Sequence, residues 1–307
     1  MRIAIVGAGG VGGGFGAALA HAGADVSFIA RGAHLAAMQK DGLRVESVRG
    51  NTHLKPAKAT DDPKTVGPVD YVLFCVKLWD VESAGEMIRP MIGRDTAVIP
   101  LQNGVCAPER LVPILGEDHV MGGVAQISAT IGAPGLIKQT GTFMRMVFGE
   151  LDGRKRERGE KLAAMCDKAS FESLHSDQIL TELWMKFILL ATNASVMATI
   201  RQPIGKIRDD ANIIGMMRAG YRETVDVGRA RGVTIPADAV DRTVETSMGL
   251  PPALLPSMAV DLMRGNRIEL PWLSGKVVEL GRQLGIPTPV HSFLFTALKP
   301  YVMGAPA

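Results

Sequence analysis

Apolar positions along the 307 residues fall into two textures. In the first half, short strand-like runs alternate with helical patterns. Ile3-Ala4-Ile5-Val6 is an apolar run, and a glycine-rich turn and an amphipathic helical stretch lead from it into a second run, Asp25 to Ala30. Leu43 to Val48 alternates as a strand does. Val69 to Val76 is almost continuously apolar, the mark of a strand buried on both faces. A helical pattern then covers Asp80 to Ile92. Thr96 to Leu101 reads as a strand closed by Asn103-Gly104, a helix follows from Pro108 to Leu115, and further strands are expected at Val120–Ala129, Gly135–Thr140 and Phe143–Phe148. This alternation predicts an α/β fold with a doubly wound sheet. Beyond about Ser176 the period is helical throughout. Glu182–Thr199, Ala211–Arg231, Pro236–Thr246, Leu270–Leu284 and Val290–Tyr301 each fit a helix. Two domains are expected: residues 1–176, built on the sheet, and residues 177–307, mostly α-helical.

The turn after the first strand reads Gly7-Ala8-Gly9-Gly10-Val11-Gly12, a G-x-G-x-x-G within a strand–turn–helix–strand frame. That context makes it the fingerprint of a Rossmann-type dinucleotide site. Gly7 permits the tight turn, Gly9 lets backbone approach a pyrophosphate, and Gly12 lets the helix pack on its strand. With Gly10 and Val11 they open a helix whose free N–H groups and dipole favour phosphate. The second strand ends in Ala30-Arg31 with no acid beside it. A carboxylate there would bond a ribose 2′-OH. A guanidinium suits a 2′-phosphate, so the expected cofactor is NADP.

Composition narrows the function classes. Net charge is +3, and the tightest basic cluster, Arg154 to Arg158, is interrupted by an acid, which argues against nucleic-acid binding. Phe187 to Ile200 reads as too short and too polar to span a bilayer. Arg2 followed at once by glycines does not resemble a signal peptide. Cys75, Cys106 and Cys166 lack paired spacing and read as free thiols of a cytoplasmic protein. The six His residues show no ligand spacing, so no metal site is expected.

Several short stretches together resemble the ketopantoate reductase (2-dehydropantoate 2-reductase) family. They are Cys75-Val-Lys77-Leu-Trp79, Leu101-Gln-Asn103-Gly-Val105, Leu183-Trp-Met-Lys186-Phe187, and Pro256-Ser257-Met258 leading to Arg264-Gly-Asn-Arg-Ile-Glu269. The resemblance covers nearly the whole chain. It implies NADPH-dependent reduction of a 2-oxo acid, in pantothenate biosynthesis or a related route, with substrate and cofactor meeting in a cleft outside the strand ends. It gives Lys186 the role of general acid to the substrate carbonyl. The sequence agrees, since a lone Lys in an apolar helical segment needs a cleft or a partner, and desolvation would make it a better acid. The resemblance assigns Glu269 to the same centre, Lys77 and Asn103 to cofactor contact, Asn103 also to substrate orientation, and Ser257 to the substrate. Ser257 and Glu269 also read as helix-start residues.

The chain departs from the family at four positions. Where the family usually carries Asn, this sequence has Leu190, Ala194 and Ile204, and Pro271 replaces an Asp. On a helix, Leu190 lies about 40° and Ala194 about 80° from Lys186, while Asn193 lies only about 20° away, so Asn193 is the candidate to supply a substrate-binding amide. Loss of three amides points to a 2-oxo acid with a more apolar side chain. A 3-hydroxyacid dehydrogenase-type enzyme and a non-enzymatic NADPH sensor are the competing readings, and a homodimer is one assembly compatible with either enzyme.

Overall fold

A computed structural model describes residues 1–305. The chain divides into two units, residues 1–102 with 106–179, and residues 103–105 with 180–307. The first unit runs β1 (Arg2–Val6), α1 (Gly10–His21), β2 (Asp25–Ile29), α2 (Gly32–Asp41), β3 (Leu43–Ser47), β4 (Thr52–Leu54), β5 (Lys58–Thr60), β6 (Val69–Phe74), α3 (Val81–Met87), β7 (Ile92–Pro100), α4 (Ala107–Leu115), β8 (Met121–Ala133), β9 (Leu136–Glu150), α5 (Glu157–Lys168) and β10 (Glu172–His175). Its first sheet has the order β5-β2-β1-β6-β7, parallel throughout. The switch in direction beside β1 puts the carboxyl ends of β1 and β6 where open α/β sheets hold ligands. Ile3, Ile5, Phe28, Leu73 and Ile99 are buried in the core of the unit, which explains the apolar runs.

The later strands do not extend that sheet. β10, β9, β3 and β4 form a second, mixed sheet in that order, with β8 antiparallel to β9. Leu136–Glu150 is one strand, although Gly141 in its middle suggested two. The helix expected over Asp80–Ile92 is shorter. A 3₁₀ turn at Leu78–Asp80 leads into seven-residue α3, and Pro90 sits in a second 3₁₀ turn, Arg89–Met91, where its missing N–H is tolerated.

The second unit contains α6 (Ile179–Ile200), α7 (Ala211–Ala230), α8 (Ala239–Met248), α9 (Ser257–Met263), α10 (Ser274–Leu284) and α11 (Pro289–Leu298). Asp210 caps α7 by accepting N–H bonds from Asn212 and Ile213 at 2.8 and 3.1 Å. The helix expected from Leu270 begins instead as a 3₁₀ turn, Leu270–Trp272, and α10 starts only at Ser274. The segment read as too short for a membrane belongs to a 22-residue helix with an 18-residue window of mean hydropathy 1.4, long and apolar enough by those measures to cross one. That 18-residue window of α6 is 67% buried within the protein, as a core helix would be.

The helices share a buried polar seam. The His291 ring meets Ser274 Oγ at 2.9 Å, Thr224 Oγ1 at 2.9 Å and the Gly220 carbonyl at 3.1 Å. Ser274 donates to Ser195 at 2.7 Å. Burial pushes His291 down to about 4, so it is neutral at pH 7. The Glu223 carboxylate accepts the backbone N–H groups of Val290 and His291 at 2.7 and 3.0 Å.

Candidate functional site

The glycine turn lies at the end of β1, and Gly9 takes the N-cap position of α1. Gly7 has φ of +92°, and a Cβ there would lie 2.9 Å from the Cys75 carbonyl, so both conformation and space require glycine. A Cβ on Gly10 would come within 2.0 Å of the Ala129 carbonyl oxygen, and one on Gly12 within 2.2 Å of the Gly7 oxygen. Gly9 is different, for a Cβ there meets nothing within 4 Å. The chain therefore leaves open space over the turn at the position where backbone would approach a pyrophosphate, beside the unpaired N–H groups of the helix start. That arrangement fits a dinucleotide. Val11 follows in the first turn of α1.

Arg31 ends the second strand segment as the N-cap residue of α2. Its guanidinium is exposed and pairs with Asp80 at 3.2 Å. An exposed pair of this kind contributes at most about 1 kcal/mol, so a phosphate can take the guanidinium from Asp80. Asp80 itself was not singled out in the sequence. It stands three residues after Lys77, at the N-cap of α3, and its carboxylate does not cap that helix. Lys77 is exposed beyond the end of β6, its ammonium 5.6 Å from the centre of the Trp79 ring.

In the second unit, α6 buries Leu183, Trp184, Phe187 and Ile188, and Trp184 packs edge-to-face on Phe187. Lys186 comes off this apolar stretch, and its ammonium donates to Asn103 Oδ1 at 3.0 Å. Asn103 sits in the loop after β7, where Gly104 turns the chain with φ of +89°. Burial lowers Lys186 from the ordinary lysine value to about 8, and the negative charge of Glu269 opposes that shift. Glu269 is itself buried, and precedes the 3₁₀ turn without capping it. Lys186, Asn103 and Glu269 thus form one cluster.

Two other residues fall elsewhere. Asn193 is 3% exposed, its Nδ2 donates to Ser247 at 2.9 Å and its Oδ1 accepts from the Tyr221 hydroxyl. Both ends of the amide are held by partners inside the helical unit. Helical angle alone put it on the side of Lys186, and the packing of α7 and α8 covers it. Ser257 is exposed at the first position of α9, and Pro256 rather than Ser257 takes the N-cap. Of the three departures from the family's amides, Leu190 is half-buried one turn past Lys186, while Ala194 and Ile204 are fully buried. Among the described residues no cluster of His, Cys, Asp or Glu could hold a metal ion.

The family models for ketopantoate reductase PanE/ApbA and for its C-terminal region match residues 3–153 and 178–302. The chain belongs to the ketopantoate reductase family. A 2-dehydropantoate 2-reductase of Mesorhizobium japonicum is 32% identical over 310 residues, covering 94% of each chain. The crystal structure of a PanE/ApbA family ketopantoate reductase from Ralstonia eutropha JMP134 superposes with a TM-score of 0.88 at 32% identity, over 98% of both chains. That of 2-dehydropantoate 2-reductase from Geobacter metallireducens GS-15 gives 0.91 at 30% identity, over 97% of this chain and 99% of that one. The family therefore spans both units, and it comprises oxidoreductases of a small 2-oxo acid.

Proposed function

We infer that this family member reduces a 2-oxo acid to a 2-hydroxy acid with NADPH, and that Lys186 is its general acid. The observation that carries the reading is the cluster of Lys186, Asn103 and Glu269. The first unit holds the cofactor through the turn from Gly7 to Gly12, with Val11 in the helix start, Arg31 on the 2′-phosphate and Lys77 beyond β6. When bound, NADPH supplies the hydride that adds to the carbonyl carbon. Lys186 gives its proton to the carbonyl oxygen, and the C=O bond becomes a CH–OH group. Asn103 fixes the ammonium through its carbonyl oxygen and offers its N–H to cofactor and substrate. Glu269 keeps the buried ammonium charged at neutral pH, because its field opposes desolvation. A value of about 8 leaves Lys186 protonated at pH 7 yet a much stronger acid than an exposed lysine, and water re-protonates it after each turnover. Ser257, exposed on α9, is a hydroxyl available to the substrate. Three free thiols suit a cytoplasmic enzyme.

The test follows NADPH absorbance in the presence of ketopantoate and of branched, aromatic and short 2-oxo acids. Oxidation of NADPH with at least one of them, abolished in Lys186→Ala, is the expected result. Binding of NADPH with no turnover on any 2-oxo acid would favour a sensor instead.

A further inference from the structure

We propose that His34 is the positioning residue of the phosphate-binding turn, holding it to the β8–β9 hairpin through both ring nitrogens and so aiming the Gly9 N–H at the cofactor. The proposal rests on the first unit binding NADPH. His34 projects from α2. Its Nε2 lies 2.9 Å from the Ala8 carbonyl oxygen, and its Nδ1 lies 3.1 Å from the Gly135 nitrogen. A carbonyl can only accept and a backbone N–H can only donate. One tautomer satisfies both, the neutral ring with the proton on Nε2 and a bare Nδ1.

The consequence falls on Gly9. A trans peptide is planar, so the N–H of Gly9 points opposite to the C=O of Ala8. Fixing that carbonyl fixes the direction of the N–H. Gly9 is the N-cap residue of α1, so its N–H has no partner within the helix, and the space that a Cβ on Gly9 would enter is open. The other end of the bridge is equally tight. Gly135 has φ of +72°, and a Cβ there would lie 3.1 Å from that of Ala37 on α2. The same hairpin presses Ala129 against Gly10. His34 thus ties together the three pieces of chain that shape the turn.

Protonation would place a second N–H on Nδ1, facing the Gly135 N–H, and break that bond. Burial already pushes His34 below the usual histidine value, with the Ala8 carbonyl bond opposing, and no charged group contributes. Arg44 on β3, whose backbone N–H bonds the Gly135 carbonyl at 2.9 Å, is exposed, and other charged and titratable groups of the packed elements have partners or lie at element ends. Arg31 on α2 pairs with Asp80, Lys138 on β9 pairs with Glu46, and Lys58 on β5 pairs with Asp25. His53 on β4 bonds the Asp41 carbonyl, and Lys40 is exposed at the far end of α2. The turn itself and the β8–β9 connection from Ala133 to Leu136 carry no charge.

The test measures the dissociation constant for NADPH in the full chain. His34→Ala should weaken binding about tenfold at pH 7.5, the scale of one lost hydrogen bond. His34→Gln keeps one donor and one acceptor at nearly the spacing of the ring nitrogens and cannot titrate. It should bind within about threefold of wild type, and unlike wild type it should not lose affinity as pH falls below the ordinary histidine range. Nitrogen-15 NMR of the ligand-free protein should show the Nε2–H tautomer for His34. A His34→Ala variant that binds NADPH as wild type does would overturn the bridge, as would His34→Gln binding no better than His34→Ala, or an Nδ1–H ring. Should wild type itself fail to bind NADPH, the cofactor reading fails, and the tautomer still decides the bridge.

Discussion

Lys186 carries a proton that its surroundings make easy to release. With Lys186 as the proposed acid, reduction uses the ammonium form, so the rate should be full below the group's pKa and fall as pH rises through it. With that pKa near 8, kcat/KM for a 2-oxo acid should be flat from pH 6 to 7 and drop toward tenfold per pH unit above about 8. Oxidation of the hydroxy acid should rise over the same range. Glu269→Gln removes a charge that raises the Lys186 value, so its falling limb should lie at lower pH than that of wild type. A limb that stays in place would mean the carboxylate does not act on Lys186. Lys186→Ala should lower turnover by about 10²–10⁴-fold, the usual share of a general acid. Asn193 belongs to a different balance. Asn193→Ala removes the amide that bonds both the Tyr221 hydroxyl and Ser247 in a buried seam and leaves those two only each other, at a cost of roughly 1–3 kcal/mol. The variant should melt several degrees lower while kcat at 25 °C stays within about threefold. A large loss of kcat in a folded Asn193→Ala protein would return the amide to the substrate site.

At the scale of the element, the glycine turn separates two demands that the motif lumps together. Gly10 answers to packing, since an added Cβ would run into the Ala129 backbone. Gly9 answers to no packing demand of the protein, because its φ of −72° and ψ of −162° suit any L-residue and its Cβ meets no protein atom. Gly10→Ala should therefore lower the melting temperature by roughly 5–10 °C, from a backbone shift costing about 2–3 kcal/mol. Gly9→Ala should melt within about 2 °C of wild type yet bind NADPH at least tenfold more weakly, because the methyl group occupies the cofactor's approach. Calorimetry and a binding titration on the two variants read these effects separately. If Gly9→Ala binds NADPH normally, the open space over the turn is not where the pyrophosphate lies.

For the whole molecule, the strand–turn–helix frame and the helical half were legible because each rests on local periodicity. The first sheet follows from apolar runs such as Val69–Phe74, and α6 from a long stretch that is apolar almost all round and holds no Gly or Pro. What the pattern could not carry was pairing between distant segments. Nothing local tells that β9 lies beside β3 in a second sheet, that Arg31 meets Asp80 49 residues on, or that Asn193 bonds Tyr221 and Ser247. The same limit applies to substrate choice, where the structure sharpens the inference from the three missing amides. Ala194 and Ile204 lie in the core, so the apolar character near the acid comes from Leu190, half-buried one turn beyond Lys186. A hydroxyl placed against Leu190 gives up its hydrogen bonds to water and gains none, at about 1–3 kcal/mol, whereas a methyl group there is favoured. A site that bonds a hydroxyl rejects the analogue lacking it, and a site that offers no partner does the reverse. The enzyme should accordingly prefer 2-oxo acids with apolar side chains. The measurement is kcat/KM for ketopantoate against its deoxy analogue, 2-oxo-3,3-dimethylbutanoate. The expected ratio is near unity or favours the deoxy compound, and Leu190→Asn should move it at least about tenfold toward ketopantoate, the discrimination one new hydrogen bond supplies. A wild-type ratio above about tenfold in favour of ketopantoate would show that a donor other than these three positions reads the hydroxyl.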